Sequence, residues 1–354
     1  MIRYLLSRIV LAGALLIGLI SLSFGLVSLI PGDPAVSILG DAATPDEIAK
    51  VHAQLGLDMP LGQRYLDYLS RTLHGDLGKS YFTGSPITHE LLTRVPNTLV
   101  LLVPGLLLAL LIGVLMGTVS AYRRGRAADK AMSVASAVIL AIPEFALALI
   151  LVFVFFQKLY AVPPPLGMLG AQDVPPPAQS GSVVIDAFLA GSWSTLISIA
   201  QHAILPIATL GIFFAAYFAK PVRTGLTQAL CSPQVEFARA SGLSEITVYR
   251  YAMADIRRVL MTYLVNLFGA SLSGAAILET VFAWPGIGGW SLDGVLKGDI
   301  PVIQGFVLVL GASTIGAYLI LDIVITVLDP RMREQAIKPR RHRRTQPQPQ
   351  PAAA

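Results

Sequence analysis

Apolar residues in this chain fall into long uninterrupted blocks. Six of them, at residues 9–30, 98–121, 131–156, 196–219, 259–283 and 302–328, meet the length of about 20 mostly apolar residues that a helix needs to cross a bilayer. The pattern predicts an all-α polytopic membrane protein with six transmembrane helices. It divides the chain into a first spanning helix (1–30), a polar connection (31–97), a five-helix core (98–328) interrupted by a second long polar stretch (220–258), and a tail (329–354).

The two long connections carry helix signals of their own. In "TPDEIAKVHAQLG" Thr44 and Glu47 have the spacing of a capping box, and Gly56 stands where the helix should stop. "RYLDYLSRTL" reads as a second short amphipathic helix, so 31–97 is expected to form a small helical cap. In "SPQVEFARASGL" Ser232 is placed as an N-cap, Pro233 at the first helical position and Gly242 at the stop. That helix is too polar for lipid and too short to hold alone, so it needs a partner surface. Residues 163–182 are rich in proline, which favours extended backbone.

Composition supports the membrane reading: 54% of the 354 residues are hydrophobic and 13% charged, against roughly 25% charged in soluble domains. The first apolar block is longer than the roughly 7–15 residues of a secretory signal and no clear cleavage site follows, so it is read as a retained span. Most of the 26 Lys and Arg lie at the termini, at 123–130 and at 220–258. Positive residues collect in the cytoplasm. Both termini and the 220–258 loop are therefore expected there, and the cap outside. This topology accounts for the net charge of +5 without nucleic acid as a partner. The tail, basic and then rich in Pro and Gln, is expected to be disordered; contact with membrane lipid is the lesser reading beside a solvated tail.

Candidate chemistry is sparse. "GDLGKS" (75–80) looks like the end of a phosphate-binding loop, but Leu73 stands where the first glycine belongs and no strand precedes it. It is read as a turn in the external segment. The single cysteine, Cys231, excludes an internal disulfide and a Cys-cluster metal site, and the histidines form no H-E-x-x-H pattern. No catalytic constellation, cofactor site or metal site is expected. Three carboxylates, Glu144, Glu279 and Asp322, fall within or at the ends of apolar blocks; such groups mark a pathway or a paired charge. Glu144 follows Pro143, where a kink is expected, and is the candidate pathway residue.

Seven segments in order, "RYLLSRIV…PGDPA", "LGLDMPLGQRYLDYL", "GDLGKS", "RVPNTLVLL", "LPIATLG", "FAWPGIGGW" and "DIPVIQGFVLV…LDPRMR", resemble the permease subunits of binding-protein-dependent ABC importers, in the branch that carries dipeptides, oligopeptides and nickel. The resemblance implies a type I importer permease in the bacterial cytoplasmic (inner) membrane. Its partners would be a second homologous permease, two ATP-binding subunits and an extracytoplasmic solute-binding protein. It also implies that the E-A-A-x-x-x-G motif, here Glu236, Phe237, Ala238, Arg239, Ala240 and Gly242, docks on an ATPase. Trp284, Pro285, Gly286 and Gly288 would lie near the binding protein. Phe237 replaces an Ala of the motif, Ser241 a Lys common in the branch, and Val100 a Glu. The rival readings are a proton-coupled secondary transporter, which predicts internal repeats and sets of intramembrane ionisable groups not visible here, and a membrane-anchored structural or sensory protein.

Overall fold

The computed structural model describes residues 2–29, 33–40 and 43–328; the tail, Pro31 and Gly32 of "PGDP" and the "DPRMR" end lie outside them. Among the described residues the regular structure is helical, with one isolated bridge between Lys79 and Pro86. The elements are α1 (Ile2–Ser28), α2 (Pro34–Leu39), α3 (Pro45–Leu55), α4 (Leu61–Leu73), α5 (Ile87–Tyr122), α6 (Ala127–Ala141), α7 (Glu144–Leu151), α8 (Val183–Leu189), α9 (Trp193–Leu230), α10 (Pro233–Ala240), α11 (Glu245–Val281), α12 (Ile287–Lys297) and α13 (Ile300–Leu328). A π-helical stretch, Val152–Lys158, continues α7.

Helices α1, α5, α9, α11 and α13 are long and apolar enough to cross a membrane. The block at 131–156, read as one span, is instead two helices bent by 101°. Pro143 is the cause: it forces Ile142 out of the helical region, to φ −89 and ψ 124. With that bent pair the structure has up to six spans.

Two polar connections are shorter than their composition suggests. Helix α5 begins at Ile87, ahead of the apolar block, and the stretch 220–258 is mostly helix, leaving only 231–244 between α9 and α11. The extensions are amphipathic. Their polar residues face outward while Val222, Leu226, Val248 and Ala252 are fully buried between the helices. Packing of that inner face, which a hydropathy window averages away, keeps the helix going.

The core is the pair α5 and α9, which run parallel. Gly105, Ala109, Gly113, Gly117 and Ala121 recur every fourth residue along α5, and all are buried. A Cβ added to Gly105 would lie 2.7 Å from the Cβ of Leu210, and one on Gly117 2.7 Å from the Ala219 carbonyl oxygen. Small residues at this spacing let two backbones approach and gain van der Waals contact in lipid, where apolar burial alone gives no preference for protein over acyl chain. The sequence contains this stripe openly. Helix α1 packs at the edge, on α13, and the Arg8 side chain meets Asp322 at 3.1 Å. Asp322 is thereby paired from the other end of the chain.

Candidate functional site: the two ends of the helix bundle

At one end, α10 lies across the short connection between α9 and α11. Ser232 Oγ accepts a hydrogen bond from the Val235 N–H, and Pro233 opens the helix. The helix closes with Gly242 in the left-handed region at φ 75. There the Leu243 N–H donates to the Ala238 carbonyl at 3.1 Å and the Gly242 N–H to that of Arg239 at 2.9 Å. This paired closure is the Schellman arrangement, and its left-handed position favours glycine.

Spacing then divides α10 into two faces. Val235 and Ala238 are buried against the bundle. Glu236, Phe237, Arg239, Ala240 and Gly242 are exposed, Phe237 by 74%. Arg239 reaches Glu245 at 3.3 Å. Ile246, the second residue of α11, is 73% exposed, a second outward apolar side chain at this end. Of the six motif residues, Ala238 is the one turned inward: it fixes α10 to the bundle and offers no outward contact.

Next to this end, Asp129 ties three segments together. Its carboxylate accepts from the Ser120 hydroxyl, from the Gly125 N–H at 2.9 Å, and from Arg223 Nε at 2.7 Å and Nη2 at 2.9 Å. The two-point guanidinium contact locks the turn between α5 and α6 onto α9, ahead of α10. Sequence reading counted Arg223 only as a topological charge and passed over Asp129.

At the opposite end the "FAWPGIGGW" segment folds back on α5. Trp284 Nε1 donates to the Asn97 carbonyl at 2.8 Å, and Asn97 Nδ2 to that of Pro285 at 2.9 Å. Thr98 Oγ1 donates to Glu279 at 2.6 Å and accepts from the Ile287 N–H; Glu279 also accepts from the Gly289 N–H at 2.9 Å. Glu279 is therefore the buried anchor of this loop rather than a pathway group. The four residues expected near the binding protein differ in exposure. Trp284, Gly286 and Gly288 are buried within the chain, and only Pro285 is exposed. A side chain on Gly286 would collide with Glu279 and Thr98, and one on Gly288 would meet the α11 backbone at Ala276. These glycines are there for close packing.

The proline-rich stretch, for which the sequence offered no chemistry, covers the same loop. The Gly167 N–H donates to the Phe282 carbonyl at 2.9 Å, and Met168 is buried. "GDLGKS" is a turn. Asp76 accepts from the Gly78 N–H at 2.9 Å and from Arg71 at 3.0 Å, which together hold its carboxyl below the usual range. Ser80 Oγ donates to Asp299, just before α13.

Glu144 opens α7 at the break after Pro143. It is half-buried, and no hydrogen bond or ion pair to it occurs among the described residues. Asp173, Ser198 and His202 come together without forming a nucleophilic triad. The serine hydroxyl donates to Asp173, and His202 Nδ1 lies 2.8 Å from the Ser198 carbonyl, so the imidazole is not set to take the serine proton.

These features define a multi-pass, all-helical membrane protein with a tightly packed centre and a short two-faced helix, α10, at one end. The chain belongs to the family of binding-protein-dependent transport system inner membrane components: it matches that family over residues 109–334 and the family's N-terminal part over residues 1–102. It is thus a transport subunit of a bacterial inner membrane, with the type I ABC importer permease architecture. It is 33% identical to the di/tripeptide transport system permease protein DppB of Pseudomonas aeruginosa, over 95% of this chain and 100% of that one. Identity is 35% to the probable D,D-dipeptide transport system permease protein DdpB of Escherichia coli, over 89% and 93%. It is 31% to the dipeptide transport system permease protein DppB of E. coli, over 95% and 100%.

Proposed function

We propose that this chain is one of two permease subunits in an ATP-driven importer of di- or oligopeptides, and that α10 couples it to an ATPase. The observation that carries the reading is the two-sided α10. Val235 and Ala238 seat it on α9 and α11, while Phe237 and Ile246 present apolar side chains outward, uncovered by the other described residues. An ATPase subunit that grips the outer side moves the inner side with it. The Asp129–Arg223 contact passes that motion to α5 and α6. Coupling requires such a physical two-state element.

In this reading the termini and α10 are cytoplasmic, as the distribution of Lys and Arg favours. The second permease is homologous, two ATPases bind below, and a solute-binding protein delivers substrate to the opposite end, where Pro285 is exposed. Peptides as substrate rest on the names of the relatives. Glu144, a carboxylate at a break in a spanning segment, lines the path and faces the ammonium group of a passing peptide.

The test is affinity isolation of the tagged chain from gently solubilised native membranes, with Phe237→Asp in parallel. A P-loop ATPase that co-purifies with the natural chain and is lost from the variant supports the docking surface. Uptake of a radiolabelled dipeptide should fall with it. Uptake that survives ATP depletion and collapses with an uncoupler would instead favour proton coupling.

A further inference from the structure

Helix α4 lies beside the end of a span rather than above it. Tyr65 and Tyr68 stack on Phe24 of α1, with ring centroids 5.5 and 5.7 Å apart. The Tyr65 hydroxyl is 2.8 Å from Ser21 Oγ. Ser21 precedes the end of α1 by about 10 Å, at about 1.5 Å per residue, so α4 runs alongside the last turns of the span. On the far side of those turns Leu22 and Leu26 are exposed, which places this depth in lipid. Leu66 and Leu73, on the outer side of α4, are 64% and 61% exposed. A helix with one apolar row at this depth sits in the boundary between headgroups and acyl chains.

Between α4, the turn before α5 and the start of α13 is a cleft of about 1220 Å³. Its lining combines apolar side chains, among them Val27, Ile300 and Pro301, with polar ones, among them Asp33, His52, Arg64, Tyr68 and Lys79. Arg71 is held by Asp76 at 3.0 Å and Asp67 at 3.7 Å, whereas Arg64 and Lys79 form no ion pair among the described residues. The hydroxyl oxygens of Ser23, Tyr68 and Thr72 are buried with no hydrogen-bond partner. They lie together, Tyr68 beside both Ser23 and Thr72.

We infer that the cleft holds a glycerophospholipid of the surrounding bilayer, its phosphate at Arg64 and Lys79 and its acyl chains along Val27, Ile300 and Pro301. A free inorganic anion would leave the apolar side chains unused. Asp67 and Asp76, beside the cations, suit the ammonium of a zwitterionic headgroup. The inference rests on α1 and α13 being spans and is independent of the substrate proposed above.

The experiment uses the full chain in native membrane vesicles supplied with a phosphatidylethanolamine that carries a diazirine on one acyl chain. Labelled residues are located by mass spectrometry. Labelling is expected to concentrate on α4 and on residues 300–304. Arg64→Gln with Lys79→Gln should reduce it there several-fold, with labelling of the exposed α6 side chains unchanged as the control for folding. Lys79→Gln alone, at an exposed position, should give about half the effect. Labelling spread evenly over all exposed apolar residues, or unaffected by either variant, overturns the inference. So does a cleft labelled by a photoactivatable dipeptide in place of the lipid.

Discussion

Gly113 of α5 faces Ala215 of α9 so closely that a Cβ on the glycine would lie 2.7 Å from the Ala215 carbonyl oxygen. Backbone cannot give way as a flexible side chain can. Gly113→Leu should therefore force the two helices apart. Overpacking typically costs about 1–3 kcal/mol, and the lost contact along the stripe places this variant at the upper end. Thermal unfolding in detergent should show a clear drop in midpoint. Gly13→Leu, in α1 where a Cβ meets nothing, should not. Equal midpoints for the two would show that the small-residue stripe is incidental.

Thr98→Val keeps the shape of the side chain but removes the hydroxyl that donates to Glu279 and accepts from the Ile287 N–H. Leaving buried groups unsatisfied costs about 1–3 kcal/mol. The loop 282–288 should loosen, and hydrogen exchange at Ile287 and Gly289 should accelerate while exchange within α5 stays slow. An unchanged exchange pattern would mean the loop is held by packing alone.

Asp129 and Arg223 should behave as a unit. Arg223→Lys keeps the charge but loses the two-point contact. Asp129→Asn weakens all its donors at once. In a double-mutant cycle on unfolding midpoints the two substitutions should be strongly non-additive; simple additivity would mean that the contact is solvent-screened and without consequence. If the contact transmits motion, Arg223→Lys should also lower uptake more than it lowers the amount of assembled complex.

Asp186 accepts from the Ser180 N–H and hydroxyl, both at 2.7 Å, and these bonds hold its carboxyl below the ordinary value. A depressed folded value stabilises the protein fully above the unfolded value, near pH 4, and the contribution fades as pH falls through the folded one. The natural chain should exceed Asp186→Asn in unfolding midpoint at neutral pH, and the gap should narrow in acid. A gap that stays constant down to pH 3 would show that titration of Asp186 is not involved.

Local signals were legible in the sequence wherever neighbours along the chain decide the outcome. Thr44 and Glu47 form their capping box. Gly56 and Gly242 adopt the left-handed backbone, and Ser232 caps α10. The apolar blocks fixed the membrane class, because about 20 apolar residues are a requirement of bilayer thickness. Order and spacing of short segments pointed to the transport family, and the family match bears that out.

Tertiary structure alone decided which polar groups meet. Asp322 has no basic residue near it in its apolar block, yet Arg8 reaches it from the first helix. Glu279 could be a pathway group or a paired charge by sequence; Thr98, 181 residues earlier, supplies its hydrogen bond. Trp284, Gly286 and Gly288 are buried, and α9 and α11 run on through a stretch that hydropathy marks as loop. The physical reason is common to all four. Hydropathy and capping are properties of consecutive residues. The partner of a buried carboxylate, and the face a helix turns inward, depend on segments hundreds of positions apart, brought together only when α5 and α9 close on their glycines.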